Sequence, residues 1–381
     1  MDKDHNYNPE QFERIQLKDD AGEQLTRPQI SYWKDAWLRL RKNKGAIIGL
    51  FVLAFIILLA LVGPFMNKYE FDDPNYDLAY MPPKVQGLEW LGLDGKQTYE
   101  VQGSTKEDAI TRGLEGYEID EEFLLDSEVI LPAEESDNGY MTVAMEVDIY
   151  AARGLEDEYY WFGTDSMGRD LWTRIWKGTQ ISLYIGLLAA LIDMVVGVLY
   201  GGISGYYGGR TDNVMQRIIE ILSGIPNLVV VILFIMLLDP GLIAITIALT
   251  ITGWIGMARI VRGQVLKLKN QEFILAARTL GANDKRILMK HLIPNVTSVI
   301  IINTMFTIPS AIFFEAFLSF IGLGLQPPYA SLGTLIDTAF DDYRVFPYML
   351  LFPAVIISLL MIGFNILADG MRDALDPKMR R

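Results

Sequence analysis

The sequence predicts an all-α polytopic membrane protein: six transmembrane helices, with a small acidic extracytoplasmic α+β insert between the first two. Three observations predict it. Hydrophobic residues make up 51% of the 381-residue chain, yet the formal net charge is −14, a combination explained by apolar spans segregated from one acidic block. Six segments supply the roughly 20 consecutive apolar residues that a bilayer core asks of a helix: 45–66, 180–205, 215–238, 241–261, 295–320 and 346–368. Lys and Arg then gather in alternate connections, because near a span they resist translocation.

Residues 1–44 read as a cytoplasmic N-terminal segment, with Arg39, Arg41, Lys42 and Lys44 just before the first span at 45–66. That span is too long for a signal-peptide core and has no small-residue cleavage site, so it reads as retained. The insert, 67–160, holds 24 Asp and Glu against 6 Lys and Arg, a charge of −18 that leaves the rest of the chain at +4. Within it, "STKED" offers Ser104 and Glu107 as a capping box for a short helix. "TVAMEVDIY" alternates Val143, Met145, Val147 and Ile149 with mostly polar neighbours, the pattern of a half-buried strand. The insert lacks EF-hand spacing and a Gly-x-Ser-x-Gly elbow, and the two histidines, His5 and His291, lie outside it. It reads as a solvated acidic face or as a docking surface for a basic partner. With no Cys in the chain, disulfides, thiol chemistry and Cys-ligated metal are excluded.

Residues 161–381 carry the other five spans. The run "GGISGYYGG" (Gly201, Gly202, Gly205, Gly208, Gly209) predicts close helix packing and then a tight cytoplasmic turn. Arg217 and Glu220, three apart, pair on one helix face at the start of the third span. Arg259, Arg262, Lys267, Lys269, Arg278, Lys285, Arg286 and Lys290 flank or fill the connection between the fourth and fifth spans, and Lys378, Arg380 and Arg381 end the chain. With six spans, these clusters and both termini fall in the cytoplasm. In that connection, "LAARTLGANDKRILMKHLIPN" (275–295) predicts a helix from about Glu272 to Leu280 with Phe273, Ala276, Ala277 and Leu280 on one face. Gly281 then permits a positive-φ stop. Asn283 caps a second helix with Asp284 in its first turn and Lys290 and His291 in its last, and Pro294 begins the next span. The small-residue face suits close approach by another backbone or groove.

Two acids lie within spans, where carboxylates are costly and face a cavity or a partner. Asp193, near the middle of the second span, reads as structural, protonated or paired across a subunit interface; lining a path that attracts a cationic group is the other reading. Asp165 and Asp170 read as Asx-type bonds that fix the approach to that span.

These residues also carry a family resemblance. Ala276, Ala277 and Gly281, closed by Pro294, resemble the Glu-Ala-Ala-x-x-x-Gly loop of ABC-importer permeases, with Leu275 where that loop has Glu. "FGTDSMGRDLWTRI", with Gly163, Thr164, Asp165, Gly168, Arg169 and Asp170, is similar to the signature of C-type permease subunits of oligopeptide and dipeptide importers. So are "EAFLSFIGLGLQPP", with Glu315, Ser319, Gly322, Gly324, Pro327 and Pro328, and "FNILADGMRDALDP", with Asn365, Asp369, Arg372, Asp373 and Pro377. The resemblance covers about 28–66 and 160–381 and leaves the acidic insert outside.

It implies the type I ABC importer permease fold and a non-catalytic, multi-pass subunit of the cell membrane. A coupling helix at about 272–291 would seat in a groove of an ATPase subunit, and Glu315 with Ser319 would lie on the translocation path or at its outer gate. The implied partners are a second, B-type permease, two ATPase subunits that hold ATP and Mg, an extracytoplasmic peptide-binding lipoprotein, the peptide itself and membrane lipid. Nothing implies nucleic acid, a metal or a cofactor of the chain's own, and no Gly-x-x-x-x-Gly-Lys-Ser/Thr loop occurs in it. An ion-coupled secondary transporter would instead show inverted repeats with acids at matching depths. A membrane receptor with an acidic ectodomain would concentrate its chemistry in the insert.

Overall fold

The structure, a computed structural model, describes residues 31–238 and 241–375. Residues 1–30, Pro377 and the terminal Lys378, Arg380 and Arg381 lie outside the described residues. Helix α1 (Tyr32–Leu40) leads to α2 (Lys44–Val62), whose first turn is capped by Asn43 accepting from Ala46 N at 3.1 Å. The insert follows as β1 (Lys96–Gly103), α3 (Lys106–Tyr117), β2 (Leu124–Leu131), β3 (Met141–Asp148) and the short α4 (Ile149–Ala152). The remaining helices are α5 (Leu171–Tyr207), α6 (Gly209–Ser223), α7 (Asn227–Leu238), α8 (Leu242–Leu268), α9 (Glu272–Thr279) and α10 (Asp284–Arg286), which runs through a π-helical turn (Ile287–Leu292) into α11 (Ile293–Leu318). Last come α12 (Leu332–Phe340) and α13 (Pro347–Leu375).

Five helical stretches are long and apolar enough to cross a bilayer: Lys44–Phe65, Leu171–Tyr207, Leu242–Leu268, Asp284–Leu323 and Pro347–Leu375. The expected straight span at 215–238 is not straight. Helices α6 and α7 meet at a bend of 79°, where Pro226 has no N–H to continue a helix and biases Ile225 away from helical geometry. Counted as one span, the pair makes a sixth. Arg217 and Glu220 do pair on α6, at 2.7 Å. The second basic helix expected after Gly281 is also not separate, because α10 and the π turn feed directly into α11, with Pro294 in its first turn.

The spans pack through small residues, as helices in lipid do. A Cβ on Gly201 of α5 would stand 2.2 Å from Ala258 O of α8, and one on Gly205 2.9 Å from Arg262 O. Gly208 then ends α5 at φ +67°, so this run packs first and turns second. A core of Leu53, Ile56, Ile175, Trp176, Ile312 and Leu360 joins α2, α5, α11 and α13.

In the insert, β3 lies between β1 and β2, antiparallel to both. Val143, Met145 and Val147 are fully buried beneath it, while Ile149 opens α4. The cap of α3 sits one residue later than Ser104: Thr105 Oγ1 accepts from Asp108 N at 3.1 Å, and Ser104 N and Oγ donate to Asp108 at 2.8 and 2.9 Å. Asp108, three residues after the cap, takes the role expected of Glu107.

Candidate functional site

On α5, N-terminal to its glycine run, the helices part around a cavity of about 400 Å³ lined by α8, α11 and the start of α7. Asp193 lines it and, among the described residues, is the sole ionisable one that does so. It is 6% exposed, and its Oδ1 has no hydrogen-bond partner. Gly253 of α8 makes room for it, since a Cβ there would fall 2.5 Å from Asp193 Oδ2.

Glu315, the other intramembrane acid, is fully buried and does not line this cavity. Its Oε1 accepts from Ser319 Oγ at 2.9 Å and its Oε2 from Ser182 Oγ at 3.2 Å; Ser182 Oγ in turn accepts from Leu332 N at 3.2 Å. One carboxyl thus fastens α5, the end of α11 and the start of α12. Helix α11 ends there because Gly322 takes φ +79°. Ser331 and Thr334 then cap α12 reciprocally, a signal readable as Ser-x-x-Thr that the sequence reading missed.

The Gly-Thr-Asp-x-x-Gly-Arg-Asp stretch forms a clasp between the insert and the start of α5. Thr164 Oγ1 accepts from Met81 N at 2.8 Å and donates to Leu78 O at 2.5 Å. Gly163 and Gly168 adopt φ +78° and +74°, and a Cβ on Gly168 would land 1.7 Å from Asn75 O. Asp165 Oδ1 accepts from Met167 N and Arg169 N at 2.9 and 3.0 Å, the expected Asx geometry, while its Oδ2 stands 2.8 Å from Arg169 and 3.2 Å from Arg174. Asp170 caps α5 through Thr173 N at 2.8 Å and accepts from Asn67 Nδ2 at 2.7 Å. Burial pushes the Asp170 carboxyl above its ordinary value, against the bonds from Thr173 and Asn67 that favour the ionised form.

On α9, Ile274 is fully buried among Val265, Ile287 and Leu288, whereas Phe273, Ala276 and Leu280 are exposed and Ala277 is half-buried. Gly281 stops the helix at φ +81°, and Asn283 Oδ1 accepts from Arg286 N at 2.9 Å, as expected of its cap. The terminal motif lies on α13, away from the clasp. Asp369 and Arg372 form an exposed pair at 3.6 Å, and Asp373 accepts from Asn43 at 3.4 Å. The predicted residues therefore form five separate constellations: the cavity, the Glu315 knot, the clasp, the α9 face and the end of α13.

The pattern of binding-protein-dependent transport system inner membrane components matches residues 197–381, and that of the N-terminal transmembrane domain of oligopeptide transport permease C matches residues 31–83. The dipeptide transport system permease protein DppC of Bacillus subtilis is 40% identical over 384 residues, covering 99% of this chain and 96% of that protein. The oligopeptide transport system permease protein OppC of the same organism is 39% identical over 97% of each chain. These matches take in the acidic insert, so the similarity extends further than the motifs alone imply. The match to OppC of Salmonella typhimurium, 46% identical, is confined to 58% of this chain and 73% of that protein.

Proposed function

Because the chain belongs to the C-type oligopeptide and dipeptide permeases of binding-protein-dependent transport systems, we propose that it is the permease subunit of an ATP-driven peptide importer and forms half of the translocation pathway. The observation that carries this is the near-full-length relation to two peptide permeases. In this reading the chain is a membrane subunit without catalysis of its own. ATP and Mg sit in two partner ATPases, a B-type permease completes the pathway, and an extracytoplasmic lipoprotein delivers the peptide.

The α9 face suits the coupling role: an apolar surface of Phe273, Ala276 and Leu280 is exposed while Ile274 anchors the helix. An ATPase groove closing on that face would move α9 as a unit. Ile274 packs with Val265 of α8, Ile287 and Leu288 of the segment entering α11, and Tyr206 of α5, so the motion would reach three of the helices around the cavity. Such a change needs two discrete packings that ATP binding and release favour in turn. We take α6–α7 as one bent span, which gives six spans and cytoplasmic termini.

The test is reconstitution with the second permease and both ATPases, followed by ATPase assays with candidate peptide-binding lipoproteins. Hydrolysis stimulated by peptide-loaded binding protein is expected. Peptide uptake driven by an ion gradient without ATP would overturn the reading.

A further inference from the structure

The cavity around Asp193 has a chemical bias of its own. Its hydroxyls have used their hydrogens on their own helix, and Asn303 one of its two. Thr307 Oγ1 donates to Asn303 O at 3.1 Å, Ser310 Oγ to Phe306 O at 2.9 Å, and Asn303 Nδ2 to Val299 O at 2.7 Å. A hydroxyl has a single hydrogen, so Thr307 and Ser310 have only lone pairs left to offer, while Asn303 keeps its carbonyl oxygen and one of its two amide hydrogens. Asn227 keeps both amide hydrogens, because its Oδ1 accepts from Thr252 at 2.6 Å, but it stands at the exposed margin. The same space is lined by the Asp193 carboxylate, nine-tenths buried with one oxygen unpartnered. Among the described residues no Lys, Arg or His lines the space.

An acceptor-rich cavity with one carboxylate and, among the described residues, no cation fits a compact positive donor. A carboxylate or phosphate would meet repulsion, and a hard divalent ion would want more than one charged oxygen ligand. An ammonium group has three N–H donors and no acceptor. Its bond to an ionised carboxylate at low local dielectric is of the charge-assisted kind. The size agrees too, since about 400 Å³ is room for one or two residues of a peptide. The rings of Phe306 and Phe314 line the same space and offer apolar surface to a side chain.

We propose that Asp193 and the acceptors that line the same cavity hold the amino-terminal ammonium of a peptide in transit, an inference that rests on the peptide-importer reading above. The site is transient. It orients the peptide amino end toward α5 between release from the binding protein and exit to the cytoplasm, and Gly253 is small because the carboxylate occupies the space a Cβ would take.

The experiment uses the complete transporter in proteoliposomes, with binding protein saturated either by a short peptide or by its des-amino analogue, so that maximal uptake rates are compared. In the wild type the free-amine peptide should move faster. Asp193→Asn should lower the free-amine to des-amino ratio about tenfold, the scale of one charge-assisted hydrogen bond. Thr307→Val, which removes an acceptor of the same cavity and keeps the shape, should lower it by about threefold, and it decides the matter if Asp193→Asn does not assemble. A wild-type ratio of one, or an unchanged ratio in assembled variants, overturns the amine site. Equal slowing of both peptides also overturns it and assigns Asp193 to a contact with the second permease. Wild type that takes up neither peptide with ATP present counts against the importer reading instead.

Discussion

Asp165 gathers two backbone N–H groups and two guanidinium groups at one carboxylate that is 3% exposed. Removing one partner from a buried charge cluster leaves the other charges uncompensated, at a cost of about 3–5 kcal/mol. Asp165→Asn should therefore lower the thermal midpoint of the detergent-purified protein sharply. Asp72→Asn, which loses only a half-exposed partner of Arg169 at 3.4 Å, should cost about 0–1 kcal/mol. Size-exclusion recovery after heating measures both, and equal losses would sink the argument. The Glu315 knot makes a parallel case: Glu315→Gln keeps the size and an acceptor for Ser182 and Ser319, while Glu315→Ala opens a cavity and orphans hydroxyls, for about 2–4 kcal/mol. Full recovery of the alanine variant would contradict a fastening role. The Asx role of Asp165 was legible because it is local: acceptor and donors lie within four residues. The contrast between Asp193 and Glu315 was not. Sequence gives the depth of an acid along a helix, but its rotation against neighbouring helices decides which one meets a cavity.

Among elements, α9 tests whether a turn and a face have separate jobs. At Gly281 a Cβ would meet nothing within 4 Å, so Gly281→Ala pays only for φ +81°, about 1 kcal/mol. It should reduce peptide-stimulated ATPase while membrane abundance holds, and Gly281→Asn, more tolerant of positive φ, should recover part of the loss. Ala276→Trp adds bulk to an exposed position and should abolish coupling with no loss of abundance; wild-type uptake by that variant would make α9 a mere connector. At the insert, Lys68 Nζ and Tyr69 OH both donate to Glu158, at 2.6 Å each, joining the start of the insert to its end. Those bonds, Lys68 first, hold the Glu158 carboxyl below its ordinary value. A depressed carboxylate contributes stability above the ordinary glutamate range, and that contribution is lost as pH falls through the lowered value. Acidification should thus loosen the insert more in wild type than in Glu158→Gln, by less than about 1 kcal/mol because the pair is partly exposed. Hydrogen exchange at 67–70 reads it, and identical profiles would refute it. The helix α3, the buried alternation in β3 and the Gly281 stop were legible from caps, period and glycine. The α6–α7 bend was hidden because mean hydropathy averages across Pro226, and α1 was missed because nine mixed residues with Trp33 and Trp37 exposed make no apolar run.

At the scale of the molecule, the number of crossings decides where every charged surface lies. The insert touches the beginning of α13, where Tyr80 stacks on Phe346 at 4.3 Å and Gln97 donates to Val345 O at 3.4 Å. The clasp residues Arg169 and Arg174 line a cavity of about 190 Å³ together with Gln326 and Tyr329, which follow α11. The insert and the α11–α12 connection therefore share a side, and the chain between them must cross an even number of times. Helices α5, α8 and α11 alone give an odd number, so the six-span reading proposed above, in which α6–α7 also crosses, fits this parity. The same requirement puts α9 and the basic residues Arg39, Arg41, Lys42 and Lys44 on one face, as Lys and Arg near spans prefer. With no Cys in the chain, single cysteines report sidedness without background. Asp137→Cys and Tyr329→Cys, both exposed, should react with an impermeant thiol reagent in intact cells, and Lys285→Cys only after permeabilisation. If α6–α7 only dips into the membrane, Asp137 still labels from outside while Tyr329 and Lys285 exchange behaviour. Only that exchange would return the count to five and move the α9 face out of reach of any cytoplasmic ATPase.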